Sequence, residues 1–461
     1  MKAVEIQFLG GAGTVTGSKF YIKTPEIKIM IDCGLFQGIK SLRETNWKKL
    51  PISPAQIDVV LLTHGHLDHT GYLPKLVKEG FKGKIIASAP TLHIAQIILR
   101  DSGKIQEELA EKANKEGFSK HDPALPLYTV KDVEKVFPLF ESTYLDDWVD
   151  LGPDIRCRFR YNGHIIGATF IELDLYGKIF VFSGDVGRQQ DYLLDPPKKP
   201  KWADYLFLES TYGDKKHPEE DVGLRMSELI GDTIKKRGTL IIPTFAVERL
   251  QSIMYLLWQL HRKNKIPNIP IFVDSPMGTN ILEVFAKFPD WHKLSSKEYW
   301  AMFNHFNIIE SYADTWNTID DPRPKIVIAG SGMVTGGRVL TYLKQLVDNN
   351  STTVLLVGYQ AEGTRGRKLL EGAEFIKLFG KEHPVKARIE HMESLSAHAD
   401  QGELIIWLKN ISNIPEKIFL VHGEPDAQYM FKNKLKEEFG WKCQIPNLFD
   451  QEIIFISNSS N

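Results

Sequence analysis

Six consecutive residues, His64-Gly65-His66-Leu67-Asp68-His69, carry three imidazoles and a carboxylate. Neutral imidazole nitrogen and carboxylate oxygen suit zinc, which takes about four ligands per ion. Four candidate ligands in one short loop exceed what a single site open to substrate needs. The loop therefore reads as shared between two metal ions. The alternative is a polar loop that holds histidines by chance. The scarcity of histidine, 14 in the whole chain, counts against it.

Such ligands need rigid elements behind them. The cluster follows Ile57-Asp58-Val59-Val60-Leu61-Leu62, an apolar, β-branched run that reads as a buried strand. The same grammar recurs. Asp32 closes Lys28-Ile29-Met30-Ile31, Asp185 follows Ile179-Phe180-Val181-Phe182-Ser183-Gly184, and His422 follows Ile418-Phe419-Leu420-Val421. His164 stands in Asn162-Gly163-His164-Ile165-Ile166-Gly167. Taken singly, each reads more readily as a cap or turn residue than as a ligand. Together with the first cluster, His164, Asp185 and His422 complete two coordination spheres. Glu209, after Phe207-Leu208, and His398, in Ser396-Ala397-His398-Ala399-Asp400, are further candidates, with turn or structural roles as their alternatives.

Around these residues the chain is ordinary. It has 461 residues, 43% hydrophobic and 25% charged, which predicts a globular protein of two or three domains. Its three cysteines form neither a zinc-ribbon spacing nor a disulfide framework, which points to the cytoplasm. The N-terminus enters a strand-like segment at once, with no signal-peptide pattern. No stretch approaches about 20 apolar residues, so no membrane span is expected. The net charge of −1 argues against tight non-specific binding to nucleic acid, though metal ions and a local cleft could still supply positive charge.

The first half reads as β-rich, then mixed. Residues 10–18, Gly10-Gly11-Ala12-Gly13-Thr14-Val15-Thr16-Gly17-Ser18, read as a hairpin turn lining the site, since they lack a P-loop ending. Residues 91–117 read as a packed helix with an apolar stripe of Ile94, Ile97, Ile98, Ile105 and Leu109. From about residue 239, apolar strands alternate with long helical patterns, which implies a parallel sheet with covering helices. His422 lies beyond that region on a strand that must return to the first domain. The middle is therefore an insertion, leaving near residue 209 and rejoining near 391, and a cleft with the metals at its floor is expected. The expected domains are 1–208, 209–390 and 391–461. Residues 458–461 read as a frayed tail.

The motifs resemble those of the metallo-β-lactamase superfamily and, more narrowly, its β-CASP nucleic-acid-processing branch. The His-x-His-x-Asp-His loop with Asp32, His164 and Asp185 matches the superfamily motifs in order, and Glu209, His398 and His422 match the three that the branch adds. Further similar segments include Ile242-Pro243-Thr244-Phe245-Ala246 and Val273-Asp274-Ser275-Pro276-Met277, so the resemblance spans nearly the whole chain. It implies an α/β fold: a metallo-β-lactamase αββα sandwich with an inserted β-CASP domain on a mainly parallel sheet flanked by helices. It also implies two Zn2+ per chain, one held by His64, His66 and His164, the other by Asp68, His69 and His422, with Asp185 bridging. Asp68 is counted both as a ligand and, with Asp32, His398 and Glu209, as a catalytic residue. Asp32 would orient a ligand imidazole, His398 would act as general acid, and Glu209 would orient it. A hydroxide held between the two ions would be the nucleophile.

The function implied is hydrolysis of phosphodiesters in single-stranded RNA, by internal cutting with 5′-3′ exonuclease activity as an added option. RNA-acting relatives tend to carry His at the position of His422. A DNA nuclease of the same family and a small-molecule metallo-hydrolase are the alternatives. A non-catalytic scaffold would have lost ligands that are present here. RNA contact is expected from two small-residue loops that enter helices, Ser331-Gly332-Met333-Val334-Thr335-Gly336-Gly337-Arg338 and Gly363-Thr364-Arg365, with their guanidiniums available. Phe245, Met277 and Tyr359 could stack on bases, with a core role as the alternative. Glu248 departs from the small residue expected and would trim local charge. A homodimer is left open.

Overall fold

The computed structural model describes residues 1–117 and 121–457, so the tail expectation at 458–461 lies outside the described residues. The chain divides into two compact units. The first comprises Met1–Gln189, Pro196–Lys216 and the residues from His398 onward. The second comprises Gln190–Asp195 and His217–Ala397.

The first unit is built on two seven-stranded sheets. One runs in the order Gln451–Ile456, Lys2–Gly10, Lys19–Lys23, Lys28–Ile31, Val59–Leu61, Lys84–Ser88, Phe140–Thr143. The other runs Cys443–Gln444, Lys417–Val421, Tyr205–Glu209, Lys178–Phe182, Thr169–Leu175, Ile155–Tyr161, Trp148–Gly152. Alternate side chains of both sheets meet in one core that includes Phe8, Phe20, Phe182, Phe207 and Phe419. The outer faces are apolar too, and each is covered by helices. Leu73, Leu76, Leu92 and Leu99 pack on the first sheet, and Leu404, Trp407, Phe431 and Leu435 on the second. A strand buried on both faces reads as a continuous apolar run, which is why Val59–Leu61 and Lys417–Val421 stand out in the sequence.

The helix expected over 91–117 spans Ala89–Glu116. Ser88 caps its start and Gly117, at φ 65°, ends it in the left-handed conformation. Ile94 and Ile98 are buried, but Ile105 and Leu109 are 43% and 58% exposed. At 28 residues the helix is about 42 Å long, and its far half carries its apolar stripe past the layer that covers the rest.

The second unit contains a six-stranded sheet in the order Asn307–Ile308, Ile271–Asp274, Lys325–Gly330, Thr239–Thr244, Thr353–Val357, Arg388–Met392. Every pairing in it is parallel. The joins fall later than the expected 209 and 391. Residues up to Lys216 stay with the first unit, where Gly213 lies against Phe431 and the Thr211 hydroxyl meets His422. Arg388–Met392 stays with the second unit because it is an edge strand of the parallel sheet. Among the described residues no helix is long and apolar enough to cross a membrane.

Candidate metal centre

The first unit brings together every residue expected as a ligand. His64, His66, His164 and Asp185 offer donor atoms within 4.8 Å of one another, and Asp68, His69 and His422 form a second such group. Asp185 faces both. Its Oδ2 lies 3.5 Å from His64 Nε2 and 3.6 Å from His164 Nε2, and its Oδ1 lies 3.3 Å from His69 Nε2 and 3.4 Å from His422 Nδ1. Within the groups, His66 Nδ1 is 3.1 Å from His64 Nε2 and 3.3 Å from His164 Nε2. In the second group, His422 Nε2 is 3.3 Å from both His69 Nε2 and Asp68 Oδ2.

Strand ends place these atoms. Val59–Leu61, Lys28–Ile31, Lys178–Phe182 and Lys417–Val421 all deliver their following residues to the same edge of the sandwich. His66 precedes the four-residue helix Leu67–Thr70, which carries Asp68 and His69. The hairpin expected at residues 10–18 is present, with Phe8 paired to Phe20. It touches the site, since His422 N–H donates to Gly11 O at 2.6 Å.

Hydrogen bonds set the imidazole tautomers. His69 Nδ1 lies 2.8 Å from Asp32 Oδ2, which turns Nε2 toward the second group. Asp32 also accepts from the Thr63 amide and hydroxyl, each at 2.8 Å. With its proton given to Asp32, the Thr63 oxygen accepts from His64 Nδ1 at 3.1 Å. Thr211 Oγ1 meets His422 Nδ1 at 3.1 Å. Asn162 donates to the carbonyls of Ser183 and Asp185 at 2.7 and 2.6 Å, which fixes the turn holding Asp185. Thr63, Thr211 and Asn162 are absent from the sequence-derived site. Their one signal is adjacency to a ligand or candidate at a strand end, a place where hydroxyl and amide side chains are common.

The electrostatics are those of a cation site. Burial drives His64 well below its ordinary pKa, and His66 down to about 4, so both imidazoles are neutral donors. Burial also lowers His69, but the carboxylates of Asp185, Asp32 and Asp68 outweigh it and hold that ring well above its usual value. Burial would raise Asp185, yet His422, His69 and His64 pull it well below the ordinary carboxylate range. Buried carboxylates thus rely on shared protons for compensation. Imidazole nitrogens face one another at contact distance, an arrangement that a cation among the lone pairs satisfies better than a proton does. The donor set, five imidazoles and two carboxylates, fits metal ions of the zinc type.

Beside these groups, Asp185, Glu209 and His398 form a third cluster. His398 Nδ1 is 3.3 Å from Glu209 Oε1, and its Nε2 is 3.9 Å from Asp185 Oδ2. Glu209 is fully buried and also accepts from the Val186 amide at 2.6 Å, so it anchors the loop after Asp185 as well. Burial alone would lower the His398 pKa, but Glu209, then Asp185 and Asp68, raise it above the ordinary value.

The two loops expected to meet RNA lie in the second unit. In the first, Thr335 is exposed, while Ser331, Gly336 and Arg338 are half-buried. Gly332 and Met333 are buried, Gly332 so tightly that a Cβ would sit 2.5 Å from the Phe245 ring. The guanidiniums are not simply available. Arg338 donates to Thr315 at 2.6 Å, lies 3.7 Å from Asp274 and covers the Tyr312 ring, and Arg365 donates to the carbonyls of Val334, Thr335 and Lys377. Thr364 is buried and caps the helix Arg365–Leu370. Glu248, at 1% exposure, is buried, as is its neighbour Arg249.

Three family models match the chain. The metallo-beta-lactamase superfamily covers residues 13–216, the Beta-Casp domain 250–369, and a Zn-dependent metallo-hydrolase RNA specificity domain 382–446. The chain is 32% identical over 427 residues to Ribonuclease TTHA0252 of Thermus thermophilus, a match spanning 90% of this chain and 92% of that one. It is 28% identical over 468 residues to the transcription termination factor FttA of Methanocaldococcus jannaschii, spanning 97% and 71%, and 31% identical over 445 residues to FttA of Methanococcus maripaludis, spanning 91% and 67%. A crystal structure of a protein of unknown function from Enterococcus faecalis superposes with a TM-score of 0.54 at 12% identity, covering 98% of this chain and all of that one. That last likeness concerns the fold alone. With the ligand clusters in the matched superfamily segment and a ribonuclease related along almost its full length, the chain belongs to the β-CASP family of metal-dependent hydrolases of the metallo-β-lactamase superfamily.

Proposed function

We propose that the chain is a zinc-dependent ribonuclease that hydrolyses phosphodiester bonds within single-stranded RNA and leaves 5′-phosphate and 3′-hydroxyl ends. The observation that carries this reading is the arrangement of two ligand groups about Asp185, with the His398–Glu209 pair beside them. His64, His66 and His164 would hold one ion and Asp68, His69 and His422 the other, with Asp185 between. Ions bound there would supply Lewis acidity toward a phosphoryl oxygen and make water nucleophilic near neutral pH.

The remaining chemistry belongs to the protein. Asp32 and Thr63 fix the His69 and His64 rings so that Nε2 faces inward. Glu209 accepts from His398 Nδ1, which turns His398 Nε2 toward Asp185 and favours the protonated ring. From that position His398 gives its proton to the departing 3′-oxygen as the P–O bond breaks. Hydrolysis of a thioester, whose thiolate leaves unprotonated, has no need of an acid so held, which favours the nuclease over a thioesterase. RNA is favoured over DNA by the ribonuclease named among the relatives and by the RNA specificity domain matched over 382–446, which contains His398 and His422. In the second unit, the Ser331, Thr335 and Gly336 part of the small-residue loop is accessible to a phosphate.

Purified zinc-loaded protein incubated with end-labelled single-stranded RNA, and with DNA of matching sequence, tests this. RNA cleavage is expected, with internal fragments from either label. Mononucleotides released from the 5′ label would add 5′-3′ trimming. DNA cut as fast as RNA, or neither polymer cut, would overturn the ribonuclease reading.

A further inference from the structure

Lys19 is 1% exposed, although it is a lysine at the start of a central strand. No carboxylate among the described residues pairs with it. Its ammonium donates to the carbonyls of Gly17, at 3.0 Å, and Gly34. It also lies over the rings of Phe36 and Tyr72, with centroids 4.6 and 5.1 Å away. A buried cation without a counter-ion is expensive, and a methionine would fill the same volume without that penalty. Two carbonyls and two π faces compensate it in part. Burial still lowers its pKa to about 8.

The two carbonyls belong to turns that grip the metal-ligand segment. From the first turn, Ser18 N–H donates to Asp68 O at 2.8 Å. From the second, Cys33 N–H donates to His69 O at 2.7 Å and Leu35 N–H to Leu67 O at 3.1 Å, while Gly34 N–H ties the turns together through Ser18 O at 3.0 Å. The contact is close enough that a Cβ on Gly34 would lie 1.5 Å from Asp68 O. The helix Leu67–Thr70 has four residues, too few to hold itself in place. Its position is therefore set by these turns.

We propose that Lys19 is a positioning residue of the metal centre, whose ammonium clamps the Gly17 and Gly34 turns and so fixes the backbone that presents Asp68 and His69. This rests on the metal-centre reading above. It predicts an asymmetric effect. The ion held by Asp68, His69 and His422 depends on the clamp, whereas the ion held by His64, His66 and His164 depends on it less.

The test strips metal from wild type and Lys19→Met, then titrates cobalt(II) against a competing chelator and records the visible spectrum at each equivalent. Lys19→Met is expected to fold, to bind one equivalent within about 2-fold of wild type, and to bind the second about 10-fold more weakly with an altered spectrum, the range seen for lost outer-shell partners. Folded Lys19→Met that binds both ions as wild type does would overturn the proposal. If Lys19→Met does not fold, Phe36→Leu keeps the ammonium and removes one ring beneath it. A weaker loss at the same equivalent then supports the clamp, and no loss overturns it. Wild-type protein that takes up no cobalt would instead overturn the metal-centre reading, and this proposal with it.

Discussion

At the scale of single residues, hydrogen bonds orient four of the imidazoles: Asp32 holds His69, Thr63 holds His64, Thr211 holds His422 and Glu209 holds His398. The Glu209–His398 pair yields a pH prediction. Glu209 and the nearby aspartates hold the His398 pKa above its ordinary value, so the ring stays protonated to higher pH. A general acid is active while protonated, so the cleavage rate falls as pH rises through that pKa. Glu209→Gln removes the largest raising charge, and the alkaline limb of the pH–rate profile is expected to move to lower pH with the zinc content unchanged. An alkaline limb that stays in place would contradict the pairing.

At the scale of elements, most of the candidate ligands are legible because they follow an apolar strand, and a strand buried on both faces is conspicuous in sequence; His164 is the exception, since it follows Ile155–Tyr161, where arginines alternate with buried residues. Asp185 and His422 are readable for that reason. Thr63, Thr211 and Asn162 are not, because a hydroxyl or amide beside a ligand looks like any other strand end. The Leu67–Thr70 helix is too short to show a period, and the turns that support it are visible only once Gly34 is seen against Asp68. The surroundings of the second-unit arginines are unreadable for a related cause: composition shows a guanidinium but not the partners it meets, the Thr315 hydroxyl for Arg338 and the Val334 and Thr335 carbonyls for Arg365. The helix support is testable. Gly34→Ala places a methyl group where the Asp68 carbonyl lies, and overpacking of this kind costs about 1–3 kcal/mol. Calorimetry is expected to show that loss, with zinc content reduced below wild type. A variant with unchanged stability and full zinc would show that the turn yields freely.

At the scale of the molecule, the two units have separate cores. Among the described residues the ligand clusters all lie in the first unit, and the second contributes a wholly parallel sheet with small-residue loops. Removing metal should therefore loosen the protein locally. In hydrogen exchange, chelator-treated protein is expected to lose protection around residues 63–70, 163–167 and 184–187, while Thr239–Thr244 and Lys325–Gly330 keep theirs. Equal loss in both sheets would contradict that division. The chain has 57 basic and 58 acidic residues, so its overall charge gives no general attraction for a polyanion. The central claim is that a metal-binding sandwich is coupled to a protonated His398 that serves the leaving oxygen. The measurement that tests it most directly is the single-turnover RNA cleavage rate of His398→Ala beside wild type, with zinc counted on both. The account predicts a fall of about 10²–10⁴-fold at unchanged zinc content. A rate within a few fold of wild type, with zinc retained, would contradict it.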